Sequence, residues 1–84
     1  MEGFVYIIYS KSLDKYYIGS TNNIDRRLYE HNIGHSVYTR TGLPWELKCT
    51  ISFSSLAEAR AEERRLKKAK NKRYLENYIK AQIS

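Results

Sequence analysis

Phe4-Val5-Tyr6-Ile7-Ile8-Tyr9, then Ser10-Lys11-Ser12-Leu13-Asp14, then Lys15-Tyr16-Tyr17-Ile18-Gly19 is the stretch that decides the fold. The first run is apolar on both alternating faces, so both need cover, as in a strand at the middle of a sheet. The third run is aromatic and β-branched, and the polar link between the two is too short for a crossover, so they form an antiparallel hairpin. A turn centred between Lys11 and Ser12 sets Tyr6 opposite Tyr17, with both phenols on one face.

Beyond the hairpin, Thr21-Asn22-Asn23 offers N-caps for a helix from Ile24 to Ile33, ended by Gly34. Ile24 and Leu28 anchor its buried stripe. Arg27 and His31 lie one turn apart along the edge of that stripe, where a cation and an imidazole can converge on a ligand at the sheet margin. Residues 34–44 are polar and turn-rich and predict an exposed loop. Trp45 to Phe53 predicts a third strand. Ser55 with Glu58 is a capping box opening a second helix. Asn71 breaks that helix and caps a third, whose apolar stripe is Leu75, Tyr78, Ile79 and Ile83. The expected fold class is α+β, a three-stranded antiparallel sheet flanked by helices in the order β-β-α-β-α-α, one domain over residues 1–84.

Glu63 breaks the pattern of the second helix. At about 100° per residue it shares a face with Leu56, Ala59 and Leu66, and that face should be buried. A buried carboxylate costs several kcal/mol unless it is paired or holds a metal ion. The expectation is that a negative charge is needed at position 63.

The chain has 84 residues and a net charge of +6. Eight of the ten basic residues of the second half lie between Arg60 and Arg73. A cationic face so concentrated favours a polyanion partner, above all nucleic acid, although a solvated helix face gives the same pattern. The single cysteine excludes an internal disulfide and fits a reducing compartment. No apolar run is long enough to span a bilayer, and Met1-Glu2-Gly3-Phe4 lacks a basic leader, so the expected location is the cytoplasm, without a membrane partner. His31 and His35 raise a zinc reading, which the shortage of further ligands weighs against.

Val5-Tyr6-Ile7, Tyr17-Ile18-Gly19-Ser20-Thr21, Arg27, His31 and Glu63 together resemble the GIY-YIG endonuclease superfamily. The resemblance covers nearly the whole chain. It is closest to the small stand-alone bacterial branch, through His31-Asn32-x-Gly34, Tyr38-Thr39-Arg40 and Pro44-x-Glu46-Leu47. It implies that Tyr6 and Tyr17 are the motif tyrosines, Arg27 the helix arginine, His31 an auxiliary histidine, Glu63 the metal-binding glutamate, and Gly19 a glycine leaving room for backbone or phosphate. Phe4 stands where the family motif has glycine, and neither Asn71 nor Asn77 clearly matches the family's late asparagine.

The activity implied is metal-dependent hydrolysis of phosphodiesters in nucleic acid, DNA first, by structure-selective or nonspecific cutting in repair or recombination. One Mg²⁺ or Mn²⁺ is expected on Glu63, with Arg27 on the nonbridging oxygens and Tyr6 assisting the attacking water. Tyr17 would orient the water or a phosphate oxygen, and His31 would relay a proton or bind phosphate. Tyr38, Arg40, Arg64, Lys67 and Lys70 are the expected nucleic-acid contacts. The alternatives are a noncatalytic nucleic-acid-binding module and a nuclease subunit that needs a protein partner. An uncovered edge strand near residues 47–53 leaves room for a homodimer. On the bland reading, Arg27 pairs with Glu30 or Asp25, and Glu63 with Lys67.

Overall fold

In the computed structural model, residues 2–37, 39–69 and 71–83 are described. Strand β1 spans Gly3–Ser10, β2 Lys15–Thr21, helix α1 Ile24–Asn32, β3 Trp45–Phe53, α2 Leu56–Ala69 and α3 Lys72–Ile83. The sheet is antiparallel in the order β2-β1-β3, so the fully apolar strand is the central one. Tyr38, Lys70 and the side chain of Ile83, each given a place in the sequence reading, lie outside the described residues.

The hairpin register differs from expectation. Tyr6 faces Gly19 and Tyr17 faces Ile8, because Ser10 still pairs with Lys15 and the link is a full four residues long. Ser10 Oγ accepts from the Leu13 amide at 3.2 Å, and Asp14 takes a left-handed φ of 52°, a conformation that aspartate tolerates better than most residues. Lys72 and the Tyr9 hydroxyl both donate to the Asp14 carboxylate. A shift of two residues preserves strand parity, so Tyr6 and Tyr17 still share a face, on a diagonal.

Two apolar layers flank the sheet. Val5, Ile7, Ile18 and Cys49 pack with Ala59 and Leu66 of α2 and Leu75 and Ile79 of α3. On the other face Tyr6, Ile8 and Trp45 pack with Tyr17, with Ile24 and Leu28 of α1, and with Leu43. Trp45 and Cys49 would share a face in a regular strand. A bulge opposite Ile7 and Ile8 inserts one residue into β3 and sends them to opposite faces.

Caps place the helices. Asn23 Oδ1 accepts from Arg26 N at 3.0 Å, starting α1 directly after β2. Gly34 at φ 77° ends it, with His35 N bonded to Glu30 O and Gly34 N to His31 O, a Schellman closure. Ser55 Oγ accepts from Glu58 N at 3.2 Å, and Asn71 Oδ1 from Tyr74 N at 2.8 Å. Residues 34–44, expected as an exposed loop, instead fold inward over their second half. A short 3₁₀ turn at Arg40–Gly42 follows Thr39, and Thr39 and Gly42 are both buried. No helix among the described residues is long and apolar enough to cross a membrane.

Candidate active site

The site starts from α1, where His31 is expected at the edge of the apolar stripe and is in fact fully buried. The folded-back loop buries it: Thr39 Oγ1 lies 2.6 Å from His31 Nδ1, and the Trp45 indole N–H donates to the Thr39 carbonyl at 2.6 Å. The other ring nitrogen, Nε2, lies 3.0 Å from the Tyr6 hydroxyl. The Tyr17 ring completes the cluster, with centroids 5.3 Å from His31 and 6.3 Å from Trp45.

Burial pushes the Tyr6 phenol up to about 12, against the opposing pull of a hydrogen bond from Arg27 and of its charge, and with smaller upward pushes from Tyr17 and Glu63. The phenol therefore keeps its proton at neutral pH. With Arg27 donating to its oxygen, that proton points to His31 Nε2, which leaves the imidazole hydrogen on Nδ1, facing Thr39. Burial and the Arg27 charge hold His31 down at about 4, so the ring is neutral.

That depressed histidine predicts a stability profile. An unfolded imidazole near 6.5 binds a proton that the folded one, near 4, refuses. Stability is therefore full above pH 6.5 and falls as pH drops through the interval to 4, by up to about 3 kcal/mol. Asp14, Glu30, Glu46 and Glu62, all held below their usual range by cationic partners, add a loss of the same sign at the acid end of that window and below it. Urea midpoints at pH 7 and pH 4.5 should differ in the wild type and draw together in His31→Gln. Equal slopes in the two proteins would show that His31 is not the titrating group.

Gly19 has a packing task in the cluster. Its missing side chain leaves room for the Tyr6 phenol, since a Cβ there would stand 2.3 Å from the hydroxyl and 2.4 Å from Cζ. Gly19→Ala should therefore displace Tyr6, at a cost of roughly 1–3 kcal/mol from overpacking. In a domain of this size, the melting temperature should drop by about 4–8 °C per kcal/mol. An unchanged melting curve would show that the ring is not confined there.

Glu63 is half-buried, at the rim of the α2 stripe and not within it. Its side chain keeps 20% of its exposure, whereas Ala59 and Leu66 keep none. Ser20 Oγ donates to its Oε1 at 2.5 Å and Lys67 Nζ to its Oε2 at 2.7 Å. Lys67 also lies 5.6 Å from the Tyr17 ring centre, which links the carboxylate to the tyrosines across the β2 edge. Arg27 pairs with Glu30 at 3.0 Å while its charge reaches Tyr6, so its pairing serves the cluster too. Glu62 faces α3, gripped by Arg65 at 2.6 and 2.7 Å and by the Tyr78 hydroxyl at 2.9 Å.

Tyr6, Tyr17, Arg27, His31 and Glu63 thus meet around one end of the sheet. Arg40, on the 3₁₀ turn, and Arg64, next to Glu63 on α2, are both exposed. Sequence reasoning assigned no role to Ser20 or Thr39, although both stand inside the quoted motifs. Their partners lie 43 and 8 positions away, beyond what periodicity registers.

A three-stranded sheet thus gathers two tyrosines, a histidine, an arginine and a glutamate about its β2 edge. The chain belongs to the GIY-YIG family, whose model, described as the GIY-YIG catalytic domain, matches residues 2–80. The chain is 45% identical over 53 residues to a UPF0213 protein of Halobacterium salinarum, covering 62% of this chain and 69% of that one. It is 47% identical over 64 residues to a UPF0213 protein of Bacillus licheniformis, covering 71% and 66%. The chain thus spans about two thirds of the length of these relatives. The solution structure of a UPF0213 protein from Bacillus halodurans superposes with a TM-score of 0.60 at 33% identity, over 96% of this chain and 85% of that one. The family implies nuclease action on nucleic acid, in general dependent on a divalent metal.

Proposed function

We propose that this protein hydrolyses phosphodiester bonds in nucleic acid, DNA before RNA, with one divalent cation held through Glu63. The supporting observation is that a single phenol, Tyr6, feels Arg27, Tyr17 and Glu63 at once while it is bonded to a neutral histidine.

The donor set fits a hard cation. Lys67 already seats a positive charge on Glu63 Oε2, and the Ser20 hydroxyl adds a second oxygen ligand. Among the described residues no three His, Cys, Asp or Glu side chains gather to form a full metal cage. The fit is therefore to Mg²⁺ or Mn²⁺, bound by one carboxylate and completed by water and phosphate oxygens. When bound, the ion supplies positive charge that acidifies water and steadies the leaving oxygen.

The remaining work belongs to the side chains. Arg27, freed from Glu30 by a competing phosphate, grips nonbridging oxygens with its planar fork. Tyr6 takes a proton from the attacking water once its own has left to solvent by way of His31 Nε2, and Thr39 holds the ring in the accepting orientation. Tyr17 orients the water or a phosphate oxygen from the same face.

A second reading, a module that binds nucleic acid without cutting it, draws support from the Lys67–Glu63 pair, which neutralises the carboxylate. The experiment that separates the two is cleavage of end-labelled single-stranded, duplex, flap and branched DNA with Mg²⁺ or Mn²⁺, against a chelator control. Metal-dependent cutting is expected. Tight binding without cutting in either metal would favour the second reading, and cutting that appears only with added cell extract would point to a required partner. A role in repair or recombination follows for flap or branched substrates.

A further inference from the structure

A groove of about 450 Å³ follows the outer edge of β2 away from the catalytic cluster. Tyr16 and Tyr17 both line it, although neighbouring side chains on a strand leave opposite faces. It therefore straddles the strand edge instead of lying on one face of the sheet. Trp45 borders it on one side, with Asn71 and Lys72 at the start of α3 on the other, and Lys15 at the near end of β2. Tyr17 belongs to both the groove and the tyrosine–histidine cluster.

The chemistry of the lining selects an occupant. Aromatic rings offer flat apolar surfaces to a nucleobase, worth roughly 1–3 kcal/mol per stacked base whatever its identity. Lys15 and Lys72 are exposed and offer charge to a phosphate. Lys72 is held by Asp14, a surface pair between half-exposed side chains that a phosphate can displace. The volume suits one small ligand and is too small for a duplex. A peptide strand could also pair with the β2 edge, but it would make no use of the paired lysines and rings.

We propose that this groove holds the unpaired nucleotide adjoining the phosphate presented to Tyr6 and Tyr17, its base against the rings and its phosphate on Lys15 and Lys72. The substrate class is then nucleic acid that is single-stranded at the cut. The placement of the scissile phosphate rests on the nuclease reading, whereas binding in the groove does not.

The chain has a single tryptophan, and it lines the groove, so its fluorescence reports occupancy without any cleavage. Pentathymidylate added to the metal-free protein is expected to change Trp45 emission saturably. A blunt, hairpin-closed duplex, long enough to stay paired, should need about tenfold more material. Lys15→Glu with Lys72→Glu should weaken the single-strand effect by at least about tenfold. Lys15 is exposed, so Lys15→Glu alone carries the test if losing the Lys72–Asp14 pair disturbs the fold. Oligonucleotide binding seen by anisotropy with Trp45 unmoved would overturn the proposal. So would equal responses to duplex and single strand, or an undiminished response in the lysine variants. Displacement of the oligonucleotide by an extended peptide but not by phosphate would reassign the edge to a protein partner. Metal-dependent cleavage with a silent Trp45 removes the groove and leaves the nuclease. A Trp45 response without cleavage in either metal does the reverse.

Discussion

Glu63→Gln is expected to reduce cleavage by roughly 10²- to 10³-fold or more, the scale seen when one preorganised electrostatic group is removed from a site. The substitution keeps the shape of the side chain and an oxygen for Ser20, but it discards the charge that Lys67 now neutralises and that a metal ion would share. Folding should barely respond, because a partly exposed ion pair on a helix contributes only about 0–1 kcal/mol. DNA binding should hold or tighten, since the substitution removes a negative charge beside the basic residues of α2. The measurement is a cleavage time course in Mn²⁺ beside a binding isotherm in chelator, both against wild type. Undiminished cutting would remove Glu63 from the reaction. A parallel loss of cutting and of melting temperature would show that the carboxylate is structural.

How far the sequence discloses this site can be judged from single residues. The third strand runs from Trp45 to Phe53 as alternation and turn signals imply, and Asn23, Ser55 and Asn71 cap the helices as their side chains predict. These features are local, so local rules find them. The hairpin register is less local, because it depends on the four-residue link closed by Ser10 and Asp14. The burial of His31 has a longer-range cause. A helical wheel fixes which way a side chain points from its own helix, but not that Thr39 and Trp45 close over it. Glu63 shows the converse: its stripe is real, yet the sheet ends beside it at Ser20, so the carboxylate emerges at the edge of the core. The bulge that parts Trp45 from Cys49 left no signal in the sequence pattern.

Tyr6→Phe tests the proton path itself. The ring keeps its place over Gly19, and only the hydroxyl that joins Arg27 to His31 is lost. Cleavage should fall by about 10²- to 10⁴-fold, the usual contribution of a positioned acid–base group. Stability should drop by about 1–3 kcal/mol, because His31 Nε2 is left buried without its donor. Tyr17→Phe makes the decisive comparison. Tyr6 is only 3% exposed, whereas Tyr17 is half-buried and stands nearer solvent. If Tyr6 accepts the proton from water, that water must reach a buried hydroxyl past the more exposed Tyr17, and Tyr17→Phe then weakens positioning more than chemistry. Cleavage by wild type should rise with pH, since burial holds the Tyr6 phenol at about 12 and each unit of pH enlarges its ionised fraction. Tyr6→Phe should flatten that rise, and Tyr17→Phe should keep it at a lower rate. The opposite pattern, a flat profile in Tyr17→Phe and a preserved one in Tyr6→Phe, would transfer the proton to Tyr17 and leave the Tyr6–His31–Thr39 chain as the scaffold that holds the two tyrosines on one face.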